Sequence, residues 1–323
     1  MTHRRASHLK FLNDQGEKAA SFMRAYVVGN VAMDETFEVE ALPQEGQSIL
    51  GSQRSSDLGG KGANQAIVLA RCGVPVTFIA GVGDDAQAGK LRARLADEPV
   101  DARFVTFSGI ATDLSIVMAD PRGGNAILTT VDCARSLDVS TVVSVLREAS
   151  PGDMMVLQGN LSTEVTADLF DVADAKDLKV VFNPSPIDDA YQALLGRASM
   201  VFLNEAEAKA YTGKNGESAV RALLAMGSHI VVLTRGGEGA LFGVSGGDVD
   251  SVEAHPCDVV DTTGAGDTFQ SVALAAMIRE NGPLRSHILQ VASKAAAVTI
   301  SRFGTARALP SKQDLSTLLS SKD

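Results

Sequence analysis

Asp267 closes the run Val260-Asp261-Thr262-Thr263-Gly264-Ala265-Gly266-Asp267 and stands at the head of an apolar helix expected over 268–278. Two glycines flank a single alanine just ahead of it. The backbone can therefore turn sharply and aim successive N–H groups outward, where the positive end of a helix dipole favours an anion. A carboxylate beside an anion site is awkward for static binding, because like charges repel. It suits a general base. An alcohol held between the two could lose its proton to Asp267 as its oxygen attacks a phosphoryl group, and the developing charge would fall on the amides of Gly264, Ala265 and Gly266. The same residues would also make an ordinary strand-to-helix turn with Asp267 as its N-cap.

A second glycine-rich segment lies some two hundred residues earlier. Leu58-Gly59-Gly60-Lys61-Gly62-Ala63-Asn64 leads into a helix expected over 65–71 and stopped by Gly73 and Pro75. Its glycines let the backbone approach a ligand closely, while Lys61 offers a charged donor and Asn64 an amide that can bond hydroxyls. The spacing of a Walker loop is absent, and so is a dinucleotide-binding fingerprint with its downstream acid.

Together these segments resemble the two signatures of the ribokinase-like (PfkB) family of carbohydrate kinases, and most of all its ribokinase branch. The likeness runs from about Ala25 to Pro310. Between the signatures, Asn183-Pro184-Ser185-Pro186, Asn204-Glu205-Ala206-Glu207 and Thr234-Arg235-Gly236-Gly237-Glu238-Gly239 follow in the family's order. The resemblance implies an ATP-dependent sugar kinase that phosphorylates a primary hydroxyl of a small sugar. A nucleoside kinase on the same scaffold is the alternative, and a non-catalytic nucleotide or sugar sensor is a third reading that an intact Asp267 argues against.

The resemblance also distributes roles. Asp34, Gly60, Lys61, Asn64 and Asn160 would bind the acceptor, with Asp34 taking hydrogen bonds from vicinal hydroxyls. Asn204, Thr234, Gly236, Gly239 and Gly266 would hold ATP. Asn204 and Glu207 would position Mg²⁺ and its waters, hard oxygen donors suited to that ion, although the pair equally fits a capping box. Asp261, with backbone carbonyls around Ser301 to Gly304, matches a monovalent-cation site, which implies K⁺. A homodimer through a small β-sheet lid completes the picture.

Several positions depart from the ribokinase pattern. Ala32 stands where that branch has Asn, and Asn160 where it has an acid. Asp132-Cys133-Ala134 replaces a Gly-Ala-Asn motif, and Thr112-Asp113 replaces Thr-Gly. These changes leave the phosphoryl-transfer residues whole and alter the polar groups around the acceptor. Chemistry is therefore better determined than substrate.

The elements that must position these residues are legible as alternation. Short apolar strands at 26–28, 76–80, 154–157, 180–182, 200–202 and 230–233 alternate with helical segments, the pattern of an α/β fold with a doubly wound, mostly parallel sheet covered on both faces. Glycine or asparagine after several of these strands marks the carboxyl edge, where open α/β sheets bind ligands. Two stretches break the rhythm. Residues 37–56 carry few helical signals, and 104–131 reads as strands around a turn at Pro121-Arg122-Gly123-Gly124-Asn125; by resemblance both build the lid.

A chain of 323 residues, 45% hydrophobic, can bury a large core, and residues 23–323 are expected to form one kinase domain. The net charge of −10 argues against a nucleic-acid partner. Three scattered cysteines, Cys72, Cys133 and Cys257, lack metal-ligand spacing and point to a cytoplasmic protein, and none of the five histidines falls in a ligand motif. No apolar run reaches the length of a membrane span. Residues 1–22 lean basic and lack a secretory core, so they are expected to be a disordered leader or a non-native start.

Overall fold

The computed structural model describes residues 23–122 and 125–320. The leader expected at 1–22 and the Gly123-Gly124 centre of the expected turn lie outside the described residues. Among the described residues, thirteen strands form two sheets. The larger has nine: β1 (Ala25–Val28), β4 (Val76–Gly83), β5 (Asp101–Phe107), β8 (Met154–Gln158), β9 (Lys179–Asn183), β10 (Met200–Asn204), β11 (Ile230–Thr234), β12 (Ala240–Val244) and β13 (Val249–Val252). Their order is β13-β12-β11-β10-β9-β8-β1-β4-β5, parallel from β5 through β11 and antiparallel at the β11-β12-β13 end.

Successive strand residues point to opposite faces, and each face has its own apolar layer. Val27, Phe78, Val156, Phe202 and Val232 pack on one side with the helices Lys61–Arg71, Ala265–Glu280 and Ser286–Ile300. Tyr26, Val28, Met155, Leu157, Phe182 and Leu233 pack on the other with Thr163–Lys176 and Gly216–Ala225. Because both faces are covered, the strands read as nearly unbroken apolar runs. The expected doubly wound sheet is therefore present.

The smaller sheet has the order β3-β2-β6-β7, from β2 (Ala32–Val39), β3 (Gly51–Gly59), β6 (Leu114–Ala119) and β7 (Asn125–Thr129). Its extent differs from the expected 37–56 and 104–131. It begins at Ala32, with three residues between it and β1, and Phe104–Phe107 belongs instead to β5 at the edge of the large sheet, where it runs parallel to β4. Phe104 is held there by edge-on packing against Phe78, ring centroids 6.4 Å apart, and by the Arg92 guanidinium 4.8 Å above its ring. Alternating residues look alike in either sheet, so local pattern did not separate the two. Because β2 starts so soon after β1, and β3 runs directly into the helix Lys61–Arg71, the small sheet is anchored at the carboxyl edge of the large one. No helix among the described residues is long and apolar enough to cross a membrane.

Candidate active site

A cavity of about 980 Å³ opens along that edge. Asn30 after β1, Asn160 after β8, Asn183 ending β9, Asn204 ending β10 and Thr234 ending β11 all line it, as do Ser115, Ile127 and Thr129 of the small sheet. The strand-end asparagines thus converge as the alternation implied.

Asp267 lines the cavity and is only 6% exposed. It is not the N-cap. That position is Gly264, whose φ of +76° lies in the left-handed region where a Cβ is costly, so the helix begins at Ala265 and Asp267 is its third residue. Its carboxylate is therefore free of capping and accepts instead from the Asn64 side-chain amide at 3.1 Å and from Gln65 Nε2 at 2.9 Å. Both donors come from the first turns of the helix Lys61–Arg71, so the two glycine-rich segments meet at this one carboxylate. Gln65 Oε1 in turn accepts from Gln158 Nε2 at 2.8 Å and Gln270 Nε2 at 3.3 Å. This buried chain of amides holds the Asp267 side chain in a single orientation while Gly264, Ala265 and Gly266 line the cavity beside it.

Asp34, on β2, lies in the same cavity and is almost fully buried. Burial pushes its carboxyl up to about 6, with the nearby acids Asp57, Asp267 and Asp261 raising it further and the hydrogen bond from Thr305 opposing the shift. That bond, Thr305 Oγ1 to Asp34 Oδ2, is 2.7 Å long. The carboxylate fits only because Gly59 on β3 has no side chain; a Cβ there would collide with it. Gly60, Lys61, Asn64 and Asn160 line the cavity near Asp34, and Ala32 is fully buried in the same wall. The Asn64 Oδ1 and Asn160 Oδ1 atoms are buried without a hydrogen-bond partner, so acceptors stand ready for hydroxyl or amide donors.

Asn204 and Glu207 form a reciprocal capping box: Glu207 N donates to Asn204 Oδ1 and Asn204 N to Glu207 Oε2, each at 2.9 Å. Both residues also line the cavity, and Glu207 keeps its second oxygen for another partner. Thr234 and Gly236 line it with Arg235. Gly239 does not. It closes the turn after β11, where its carbonyl accepts from Arg235 N at 2.7 Å. Asp261 also stands outside the cavity, behind Thr262 and Thr263; its carboxylate accepts from Thr263 N at 2.9 Å and from Gly304 N at 3.3 Å. The segment 300–305 therefore touches Asp261 through Gly304 and Asp34 through Thr305.

Two of the departures from the ribokinase pattern prove to be one feature. The buried Asp113 carboxylate accepts from the backbone N–H groups of Cys133 and Ala134, each at 3.0 Å, and so fixes the start of the short helix Asp132–Arg135. Burial also raises Asp113 to about 6. Cys133 and Cys72 are raised to about 12 by burial and are inert thiols at neutral pH.

A model of the pfkB family of carbohydrate kinases matches residues 24–312. The ribokinase of Bacillus subtilis (strain 168) is 27% identical over 299 residues, which cover 91% of this chain and 98% of that one. Among solved structures, Arabidopsis thaliana ribokinase complexed with ribose and ATP is 25% identical with a TM-score of 0.79, covering 93% of this chain and 99% of its own. A carbohydrate kinase from Agrobacterium tumefaciens is 26% identical with a TM-score of 0.73, covering 92% and 97%. With the family's model matched over nearly the whole described length and its two glycine segments meeting at Asp267, the chain belongs to the pfkB family of carbohydrate kinases, phosphotransferases that use an alcohol as acceptor.

Proposed function

We propose that the chain transfers the γ-phosphoryl group of ATP to a primary hydroxyl of a small polyhydroxylated acceptor, with Asp267 as general base. The observation that carries this is the placing of one oriented carboxylate, Asp267, in the first turn of a helix whose opening residues, Gly264 to Gly266, line the same cavity as Asp34. The acceptor binds to Asp34, Lys61 and Asn64 and presents its hydroxyl to Asp267. As the oxygen attacks, Asp267 takes the proton, and the charge that builds on the phosphoryl oxygens meets the amides of Gly264, Ala265 and Gly266. The small sheet, lying over the acceptor, would exclude water, which competes as nucleophile.

Thr234, Gly236 and Asn204 would hold the nucleotide. The oxygen donors of Asn204 and Glu207 fit Mg²⁺, which keeps several waters and needs few direct protein ligands; once bound it would neutralise phosphate charge. Asp261 and the carbonyls of 301–304 fit K⁺. Support comes from the Asp261 carboxylate, which already draws Thr263 and Gly304 into one turn behind the anion loop. The reading extends to a homodimer through the small sheet, whose edge strand β7 exposes Ile127 and Leu128, and to a cytoplasmic setting, which three unpaired cysteines suit.

The Bacillus subtilis and Arabidopsis thaliana proteins cited above are ribokinases by name, yet D-ribose is expected not to be the best acceptor here. Ala32 cannot supply a side-chain hydrogen bond, and Asn160 is neutral. Each lost bond to a buried hydroxyl is worth roughly 1–3 kcal/mol, about ten- to a hundred-fold in specificity. ADP release measured over a panel of pentoses, hexoses, ketoses and nucleosides, with and without K⁺, tests the whole reading. Turnover with no member of the panel, extended to the corresponding sugar acids and sugar monophosphates, would overturn the kinase assignment; the highest specificity constant with ribose would overturn only the acceptor claim, and a flat K⁺ titration only the cation site.

A further inference from the structure

Arg135 lines the cavity and is exposed, and its side chain makes no hydrogen bond or ion pair among the described residues. An idle guanidinium on a surface helix would mean little. The turn that carries this one is fixed at the cavity wall, because the buried Asp113 carboxylate pins the backbone of Cys133 and Ala134 immediately before it, and Cys133 Sγ donates to the Ala111 carbonyl at 3.1 Å.

Its position assigns it to the acceptor rather than the nucleotide. Arg135 lines the cavity with Ile127 and Thr129 of the small sheet and with Asn160; burial raises the nearby Tyr191 hydroxyl and the Arg135 charge opposes that rise, and this hydroxyl donates to the carbonyl of Leu161, the residue after Asn160. Asn160 follows β8, next to β1 and the Asp34 segment, whereas Thr234 and Arg235 follow β11, three strands further along. At about 4.8 Å per strand that is roughly 14 Å. Asn160 lines the same cavity as Arg135, is 4% exposed, and its Oδ1 has no partner. A carboxylate at that position would have neutralised the arginine; an amide leaves its charge available. Of the nearby acids, Asp113 is engaged with two backbone amides and Asp188 with Ala190 N, while Asp132 on the same turn and Glu164 are exposed and form no ion pair with Arg135.

Resting on the kinase reading of this cavity, we propose that the acceptor is anionic: a polyol with a carboxylate or phosphate group remote from the phosphorylated hydroxyl, read by the Arg135 guanidinium and flanked by Asn160. A planar guanidinium matches either group with paired N–H donors. A neutral sugar would leave this positioned charge without a partner. The same arrangement accounts for the loss of an acid at residue 160, because a carboxylate there would compete with the ligand.

The test uses the full chain and matched acceptors: neutral aldoses and ketoses, the corresponding aldonic and 2-keto acids, and the corresponding sugar monophosphates. Binding is measured by calorimetry without nucleotide, and specificity constants by ADP release. We expect one anionic class to exceed its neutral counterparts by at least ten-fold, and the identity of that class separates carboxylate from phosphate. Arg135→Gln should collapse the anionic-to-neutral selectivity ratio about ten- to a hundred-fold, chiefly through KM, with ADP affinity unchanged, and Arg135→Lys should recover part of it. Neutral sugars binding best, or an unchanged ratio in Arg135→Gln, would overturn the proposal. Anionic acceptors that bind in an Arg135-dependent manner without any turnover would uphold the subsite and overturn the kinase reading instead.

Discussion

At the scale of single residues, Asp267 and Asp34 are two buried carboxylates given different tasks by their partners. Asp267 receives two side-chain amides that orient it without using a proton of its own. Asp267→Asn keeps one acceptor oxygen and the side-chain shape, with the Asn64 amide, whose Oδ1 is unpartnered, able to turn and accept from the new NH2; it removes the base, so turnover should fall by about two to four orders of magnitude while nucleotide and acceptor binding persist, and turnover within a few-fold of the parent would refute the role. Asp34 has its carboxyl raised to about 6 from an ordinary value of 3.8. A raised acid contributes stability that is complete below the unfolded value and is lost as pH rises through the folded one. At pH 8 the ionised side chain therefore burdens the fold by something on the order of 2–3 kcal/mol at most. Asp34→Asn should raise the melting temperature by a few degrees at pH 8, give no gain at pH 4, and weaken acceptor binding at least ten-fold. Equal gains at both pH values would show that charge burial is not the cause. Asp267 and Asp34 were legible because each sits beside a glycine-rich segment or a strand end. Gln65, Gln158, Gln270 and Thr305 were not, since a buried amide or hydroxyl carries no local signal until the chain brings its partner across; Thr305 lies 271 residues from Asp34.

At the scale of elements, the glycines of β3 and the helix after it decide how closely the small sheet can approach the catalytic helix. Gly59→Ala would drive its Cβ into the Asp34 carboxylate and break the bond from Thr305. The acceptor KM should rise at least ten-fold while the ATP KM stays within about two-fold, a split that a general folding defect would not produce. An unchanged acceptor KM would show that Asp34 can move aside without consequence. The six expected strands all appear, because a strand buried on both faces announces itself as an apolar run. β13 was missed, being short and half exposed, as was β12, whose mostly buried apolar run is interrupted by Gly243, and β5 was placed in the wrong sheet, because pairing partner is decided by long-range contacts such as Phe78 with Phe104. The two helices that matter most each start earlier than their apolar runs suggested, at Lys61 and Ala265, since glycine at the N-cap hides the boundary.

At the scale of the whole molecule, the fold class followed from alternation, while the number of copies that work together is not written in any single motif. A homodimer through β7 predicts twice the chain mass in sedimentation equilibrium, reverting to one on replacing both Ile127 and Leu128 by charged residues; a monomer at all concentrations would exclude it. The segment 300–305 spans a larger division, between the turn at Asp261 and the acceptor carboxylate at Asp34. Gly304 and Thr305 are neighbours in the chain, so neither end can shift while the other keeps its hydrogen bond unchanged. Thermodynamic reciprocity then applies: whatever factor an ion held near Asp261 contributes to acceptor affinity, the acceptor returns to that ion in equal measure. Ion affinity would become a reporter of acceptor occupancy, readable without any phosphoryl transfer taking place.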